Sequence, residues 1–129
     1  QKIFGGFGVE IEVQKEELLD LVTVISGSGP AYVFYLGELL EEAAVRLGME
    51  RGFARVLARQ TLIGSAKLLS ASSKDAKTLR LEVASKGGAT EAAFEAFKKA
   101  NFPKVFLTGI RAAHKRAQQL RFTSPPDIA

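Results

Sequence analysis

The stretch AYVFYL, Ala31 to Leu36, follows Pro30 directly and offers no charged position on any side of a helix. Proline suits the first turn of a helix, where its missing N–H would have no partner anyway. The spacing therefore predicts a helix from Pro30 to about Leu47, with Gly48 ending it. Glu38, Glu41, Glu42 and Arg46 appear only in its second half. A helix that is apolar all round must be covered all round. In a domain of 129 residues, a second copy of the same chain is the simplest cover.

The remaining segments predict an all-α protein with one short strand. In GVEIEV, Val9, Ile11 and Val13 alternate with Glu10 and Glu12, the period-two pattern of a half-buried strand. No second alternating run follows, so its sheet partner would come from sequence upstream or from another chain. KEELLDLV reads as a helical turn or two, and Ser26-Gly27-Ser28-Gly29 as a turn into Pro30. RGFARVLARQTLIGSAKLLSAS is a second long helix with Phe53, Val56, Leu57, Gln60, Ile63, Gly64 and Lys67 along one stripe. Gly64 in mid-helix costs about 1 kcal/mol relative to alanine. It marks either a close helix crossing or a tolerated glycine. Helices near Asp75–Ala84 and Thr90–Ala100, a break at Asn101-Phe102-Pro103 and a last helix over Lys104–Leu120 follow. TSPPDIA reads as a flexible tail. The expected organisation is a strand remnant over 1–14 joining a missing N-terminal dinucleotide-binding domain, a helical domain over 15–121 and the tail over 122–129.

Several functions are excluded by residue type. There is no cysteine and a single histidine, His114, so neither a thiolate nor a histidine-rich metal site is expected. No apolar run approaches the roughly 18 residues that cross a bilayer, and glycines at 5, 6 and 8 interrupt any leader-like segment. No membrane association is expected. The chain begins with Gln1 rather than methionine, so a piece of a longer protein is expected. The net charge of +4 gathers late, in Lys98, Lys99, Lys104, Arg111, Lys115, Arg116 and Arg121. No aromatic residues interleave with these cations as a single-strand binder would require, and a solvated helical face is expected instead of a nucleic-acid site.

The glycine-rich segments differ in promise. In SGSGP, the position three residues after Gly29 is Tyr32, where a dinucleotide fingerprint needs a third glycine, and no lysine followed by Ser or Thr makes a phosphate loop. Even with VTVIS read as a strand, the rest of the chain is helical. Glu41 and Glu42 are adjacent and diverge on a helix, while Glu38 and Glu42 share a face as surface charge. SKGGAT, Ser85 to Thr90, is different. Gly87 and Gly88 tolerate positive φ, and the loop feeds a helix starting near Thr90 whose first N–H groups have no intrahelical partner. Such a turn holds anions, with the hydroxyls of Ser85 and Thr90 as further donors. Thr90 is equally an ordinary N-cap.

Three stretches together carry a resemblance. VTVISGSGPAYVFYLGELLEEAAVRLGM, ARQTLIGSAKLL and LRLEVASKGGATEAAFEAF, in this order, resemble the C-terminal domain of pyrroline-5-carboxylate reductase, from about Val9 to Leu120. The combination of GSGPAY with GGAT about fifty-five residues later is specific. The resemblance implies reduction of 1-pyrroline-5-carboxylate to L-proline with NADPH or NADH, in the cytoplasm, as the last step of proline biosynthesis. It implies an interlaced homodimer, further assembled into decamers, whose interface includes Pro30, Tyr32, Val33, Leu36 and Gly64. It implies that Ser85, Gly87, Gly88, Ala89 and Thr90 bind the substrate carboxylate, and that Thr90 hydrogen-bonds the ring nitrogen as the catalytic residue. The cofactor is expected to sit on an N-terminal domain that this chain lacks, so none is expected on this chain and no turnover by it alone. Two positions depart from the family: Lys86 stands where proline is usual, and Leu81 where an acid is usual. A stand-alone helical oligomerisation module without catalysis is the competing expectation.

Overall fold

The computed structural model describes residues 11–121, in which six α-helices follow one another. Helix α1, Leu18–Val22, passes through a π-turn, Thr23–Gly27, into α2, Gly29–Arg46. The turn expected at Ser26–Gly29 is therefore wound into helix. The Ser28 N–H donates to the Thr23 carbonyl five residues back at 2.8 Å, and Ser28 itself keeps helical angles (φ −85°, ψ −17°). Thr23 and Ser26 fit because their hydroxyls donate to the carbonyls of Leu19 and Val22, at 2.9 and 2.7 Å.

This continuity corrects the expectation that no segment is suited to a membrane. Leu18–Arg46 forms a 29-residue helix with a mean hydropathy of 1.2 over its most apolar window, long and apolar enough to cross a bilayer by length and composition. The Ser-Gly-Ser-Gly stretch had divided it into two shorter runs. Of the expected strand, Ile11, Glu12 and Val13 take no regular structure, and Val9 and Glu10 lie outside the described residues, as does the expected tail.

Helix α2 turns back into α3, Arg51–Ala71, through a connection that both ends cap. Gly48 has φ +101°. The N–H of Gly48 donates to Val45 O and that of Met49 to Ala44 O, each at 3.0 Å, which satisfies the last carbonyls of α2. Glu50 then caps α3, its carboxylate accepting from the amides of Gly52 and Phe53 at 2.8 Å each. Across the hairpin, Glu41 of α2 receives Arg51 at 3.2 Å and Arg55 at 3.3 Å.

The face that α3 turns to α2 is not the stripe of large residues. Ala54 and Ala58 are buried, one turn apart on the face that carries Leu62. A Cβ on Gly37 would stand 2.7 Å from Leu62 Cδ1. The close crossing thus belongs to Gly37 of α2, while a Cβ on Gly64 would meet nothing within 4 Å. Phe53 and Val56, both 56% exposed, remain bare with Leu57 and Ile63. The same holds for α2, where Phe34 is 72% and Tyr35 59% exposed, with Val33 and Leu36 near half. Val24, in the π-turn, is the largest side chain that the described residues fully enclose.

Helix α4, Ala76–Val83, starts at Asp75, whose carboxylate accepts the Thr78 amide at 2.7 Å. Helix α5, Ala89–Lys99, and α6, Phe102–Arg121, pack together. Between them Asn101 adopts φ +55°, a left-handed conformation that asparagine tolerates better than most side chains. Its carbonyl accepts the amides of Lys104 and Val105 at 2.9 and 3.1 Å. The last helix therefore begins at Phe102 rather than Lys104. Pro103 lies inside its first turn, where the lost N–H has no acceptor to miss. At the far end of α6, Arg121 donates to Asp20 at 3.1 Å and to Glu16 O at 3.0 Å, closing the helix onto the start of α1.

Candidate functional site

The segment between α4 and α5 is built by two glycines with different tasks. The Gly88 N–H donates to Ser85 O at 3.0 Å, closing a four-residue turn whose third residue, Gly87, has φ +74°. That is the pattern of a type II turn, which requires positive φ at its third position. Gly88 is extended (φ −86°, ψ 169°) and needs no special backbone. It is glycine for space: a Cβ there would collide with Ser85 Oγ and stand 3.0 Å from Ser85 O. Gly88 is also the N-cap of α5, which begins at Ala89. Thr90 is therefore the second residue of the helix and not its cap, a correction to the sequence reading.

The amides expected to receive an anion divide accordingly. Gly87 and Gly88 are both engaged within the chain: the Gly88 N–H by Ser85 O, the Gly87 N–H by Glu91 Oε2 at 2.6 Å. The N–H groups of Ala89, Thr90 and Glu91 precede the first intrahelical bond of α5, from Ala92 N–H to Gly88 O. Together they form the open positive end of the helix. Among the described residues, the hydroxyls of Ser85 and Thr90 have no hydrogen-bond partner, and Thr90 is half-buried. Lys86 is exposed and, among the described residues, makes no ion pair. The sequence reading missed Glu91. The available signal was a glutamate three residues after the true cap, the position from which a side chain reaches back across a helix start.

A line of rings connects this helix start to α2. Phe94 and Phe97 of α5 lie 6.1 Å apart, Phe97 and Phe102 5.7 Å, Phe102 and Phe106 of α6 6.4 Å, and Phe106 meets Tyr32 of α2 edge-on at 6.2 Å. Tyr32, expected at an interface between copies, thus leans on its own chain, and its hydroxyl is enclosed without a partner. Pro30, Val33, Leu36 and Gly64 remain exposed. Of the late cations, Lys98 and Lys99 in the last turn of α5 and Arg121 in that of α6 sit where helix dipoles favour them.

Residues 16–120 match the family model described as pyrroline-5-carboxylate reductase dimerisation. The chain belongs to this family. It is 38% identical over 118 residues to a pyrroline-5-carboxylate reductase of Synechocystis sp., covering 92% of this chain and 44% of that protein. It is 36% identical to the Arabidopsis thaliana reductase, covering 92% and 42%. The structure of a pyrroline-5-carboxylate reductase from Coxiella burnetii superposes with a TM-score of 0.84 at 35% identity, covering 92% of this chain and 44% of that one. The crystal structure of Plasmodium falciparum pyrroline carboxylate reductase with NADP bound superposes with a TM-score of 0.79 at 31% identity, covering 92% and 47%. The chain thus spans less than half the length of the pyrroline-5-carboxylate reductases it matches. The described residues do not fit a dinucleotide cradle: Ser26–Pro30 is wound into helix, and no βαβ unit occurs among the described residues.

Proposed function

We propose that this chain is the dimerisation and substrate-binding part of a cytoplasmic enzyme that reduces 1-pyrroline-5-carboxylate to L-proline with NADPH or NADH, closing proline biosynthesis. The observation that carries the reading is the family match over residues 16–120, which contains both the bare apolar helix α2 and the loop before α5. Two copies interlace, each covering Pro30, Val33, Phe34, Tyr35 and Leu36 of the other, with Gly64 allowing close approach. Dimers assemble further into decamers. A second copy covers these residues better than lipid does, because Asp20, inside the apolar stretch, is paired with Arg121 of α6 and would carry that helix's charge into the bilayer.

At the site, the substrate carboxylate sits at the start of α5, on the amides of Ala89, Thr90 and Glu91, with the Ser85 hydroxyl beside them. Gly87 and Gly88 shape the turn rather than donate. The Thr90 hydroxyl donates to the ring nitrogen and draws electron density from the carbon that accepts hydride. A nicotinamide cofactor, held by another part of the protein, would supply the hydride. Holding the ring at its acid group and its nitrogen fixes which carbon faces the cofactor, and such positioning removes much of the barrier without a covalent step.

The test is Thr90→Ala in the complete polypeptide carrying these residues. Turnover of 1-pyrroline-5-carboxylate is expected to fall at least about ten-fold, near 1.4 kcal/mol of barrier, with an unchanged melting temperature. Equal turnover would remove Thr90 from the chemistry. A helical oligomerisation module without catalysis is favoured by a specific feature, the occupation of the Gly87 amide by Glu91. Absence of any reductase activity in the complete polypeptide would decide for it.

A further inference from the structure

The loop that the proposed function assigns to the substrate carboxylate already holds a carboxylate of its own. Glu91 Oε2 accepts the Gly87 N–H at 2.6 Å. The side chain leaves the first turn of α5 and folds back over the helix start to reach a glycine two residues before the helix begins. Its charge therefore lies alongside the three free amides of Ala89, Thr90 and Glu91. Among the described residues it forms no ion pair, and Lys86, the nearest cation in sequence, does not neutralise it.

We infer that Glu91 is a positioning and selectivity residue: it locks the Ser85–Gly88 turn through the Gly87 amide while its charge lowers the affinity of the helix start for a second carboxylate. The inference rests on the substrate-carboxylate reading above. One side chain has two effects that separate chemically. The acceptor oxygen orders the turn, and glutamine supplies that oxygen equally well. The negative charge opposes the ligand's acid group, and glutamine lacks it. A like charge at this range favours release of an anionic product and disfavours anions of higher charge, such as phosphate or dicarboxylates, more than a single carboxylate.

The experiment compares wild type, Glu91→Gln and Glu91→Ala in the complete polypeptide, titrated calorimetrically with L-proline and with L-prolinamide. The two ligands share the ring and its cationic nitrogen and differ in the acid group. Glu91→Gln is expected to tighten L-proline roughly three- to ten-fold, to change L-prolinamide less than about two-fold, and to keep the melting temperature. Glu91→Ala is the second variant. It is expected to tighten L-proline as well, because it also releases the Gly87 amide, but to lower the melting temperature. If L-proline binds the wild type and neither variant binds it more tightly, the inference is overturned and the substrate reading stands. A matching gain for L-prolinamide would equally overturn it, because loss of a negative charge cannot tighten a cation that lacks the acid group, and the gain would then come from a reshaped turn. If L-proline binds none of the three, the substrate reading falls and this inference with it.

Discussion

The guanidinium of Arg80 lies 4.7 Å from the centroid of the Phe94 ring, so the helix that ends before the SKGGAT loop and the helix that begins after it are tied by a contact that bypasses the loop. Phe94 is also the first ring in the line that reaches Tyr32. Removing the cation with Arg80→Ala is expected to cost about 0.5–1 kcal/mol, the range for an exposed cation over a ring. Arg80→Lys should recover part of it. Thermal denaturation of the three proteins checks the order; equal melting temperatures would mean the stacking contributes nothing.

The two loop glycines predict different rescues. Gly87→Ala forces a side chain into the left-handed region and should destabilise by about 1–2 kcal/mol, with no neighbour whose truncation helps, since nothing lies within 4 Å. Gly88→Ala should be partly rescued by Ser85→Ala, which removes the hydroxyl that the new Cβ would strike but leaves the carbonyl 3.0 Å from it. A double-mutant cycle read by denaturant unfolding should give a coupling above about 0.5 kcal/mol for 85/88 and none for 85/87.

Lys86 occupies the second position of the turn, where a type II geometry favours proline. Lys86→Pro should stabilise the loop by about 0.4–1 kcal/mol by restricting the unfolded chain. The measurement is the unfolding midpoint, expected to rise without a change in denaturant slope. A fall would show that Lys86 does not hold the φ proline requires.

Gly64 separates intrachain from interchain packing. Alanine there improves helix propensity by about 1 kcal/mol and meets nothing within the chain. Gly64→Ala is nonetheless expected to weaken dimers, and Gly64→Leu to disrupt them, because on the proposed interface a partner helix would fill that space. Analytical ultracentrifugation distinguishes the cases; an undiminished dimer for Gly64→Leu would move the interface elsewhere.

Acid should unfold the protein through three carboxylates. Hydrogen bonding and charge from Arg55, then Arg51, hold Glu41 below its ordinary 4.5; the amides of Gly52 and Phe53 do the same for Glu50; the hydroxyl and amide of Thr78 hold Asp75 below 3.8. Each folded-state value is lowered, so each contribution is complete above the ordinary value and is lost as pH falls through the folded one. The melting temperature should be flat above about pH 5 and decline below about pH 4.5. Glu41→Gln should flatten that decline, and an identical profile would remove the Arg51–Glu41–Arg55 clamp from it.

Helix positions were largely legible, because propensity, Pro30, Gly48 and the Asp75 cap are local signals. What escaped depended on longer reach. Ser26–Gly29 looked like a break because glycine and serine favour turns, yet the i→i+5 bond and two hydroxyl back-bonds keep the helix intact. Gly64 and Gly37 cannot be ranked as crossing points until Leu62 is known to face one of them. Placing the cap of α5 at Thr90 made Glu91 the first helical residue, from which its side chain has nothing to reach; moving the cap to Gly88 makes it the third. The stripe on α3 was legible as a face, but Phe53, Val56, Leu57 and Ile63 stay bare among the described residues.

If the proposed dimer covers the bare flanks of Phe34, Tyr35, Phe53 and Val56, acquisition of structure and pairing become a single event. A newly made chain would gain most of its stability only on meeting another, so its melting temperature should climb with concentration. Its survival in the cell would then depend on how abundantly it is made, and a defective allele would harm its healthy sibling by occupying it.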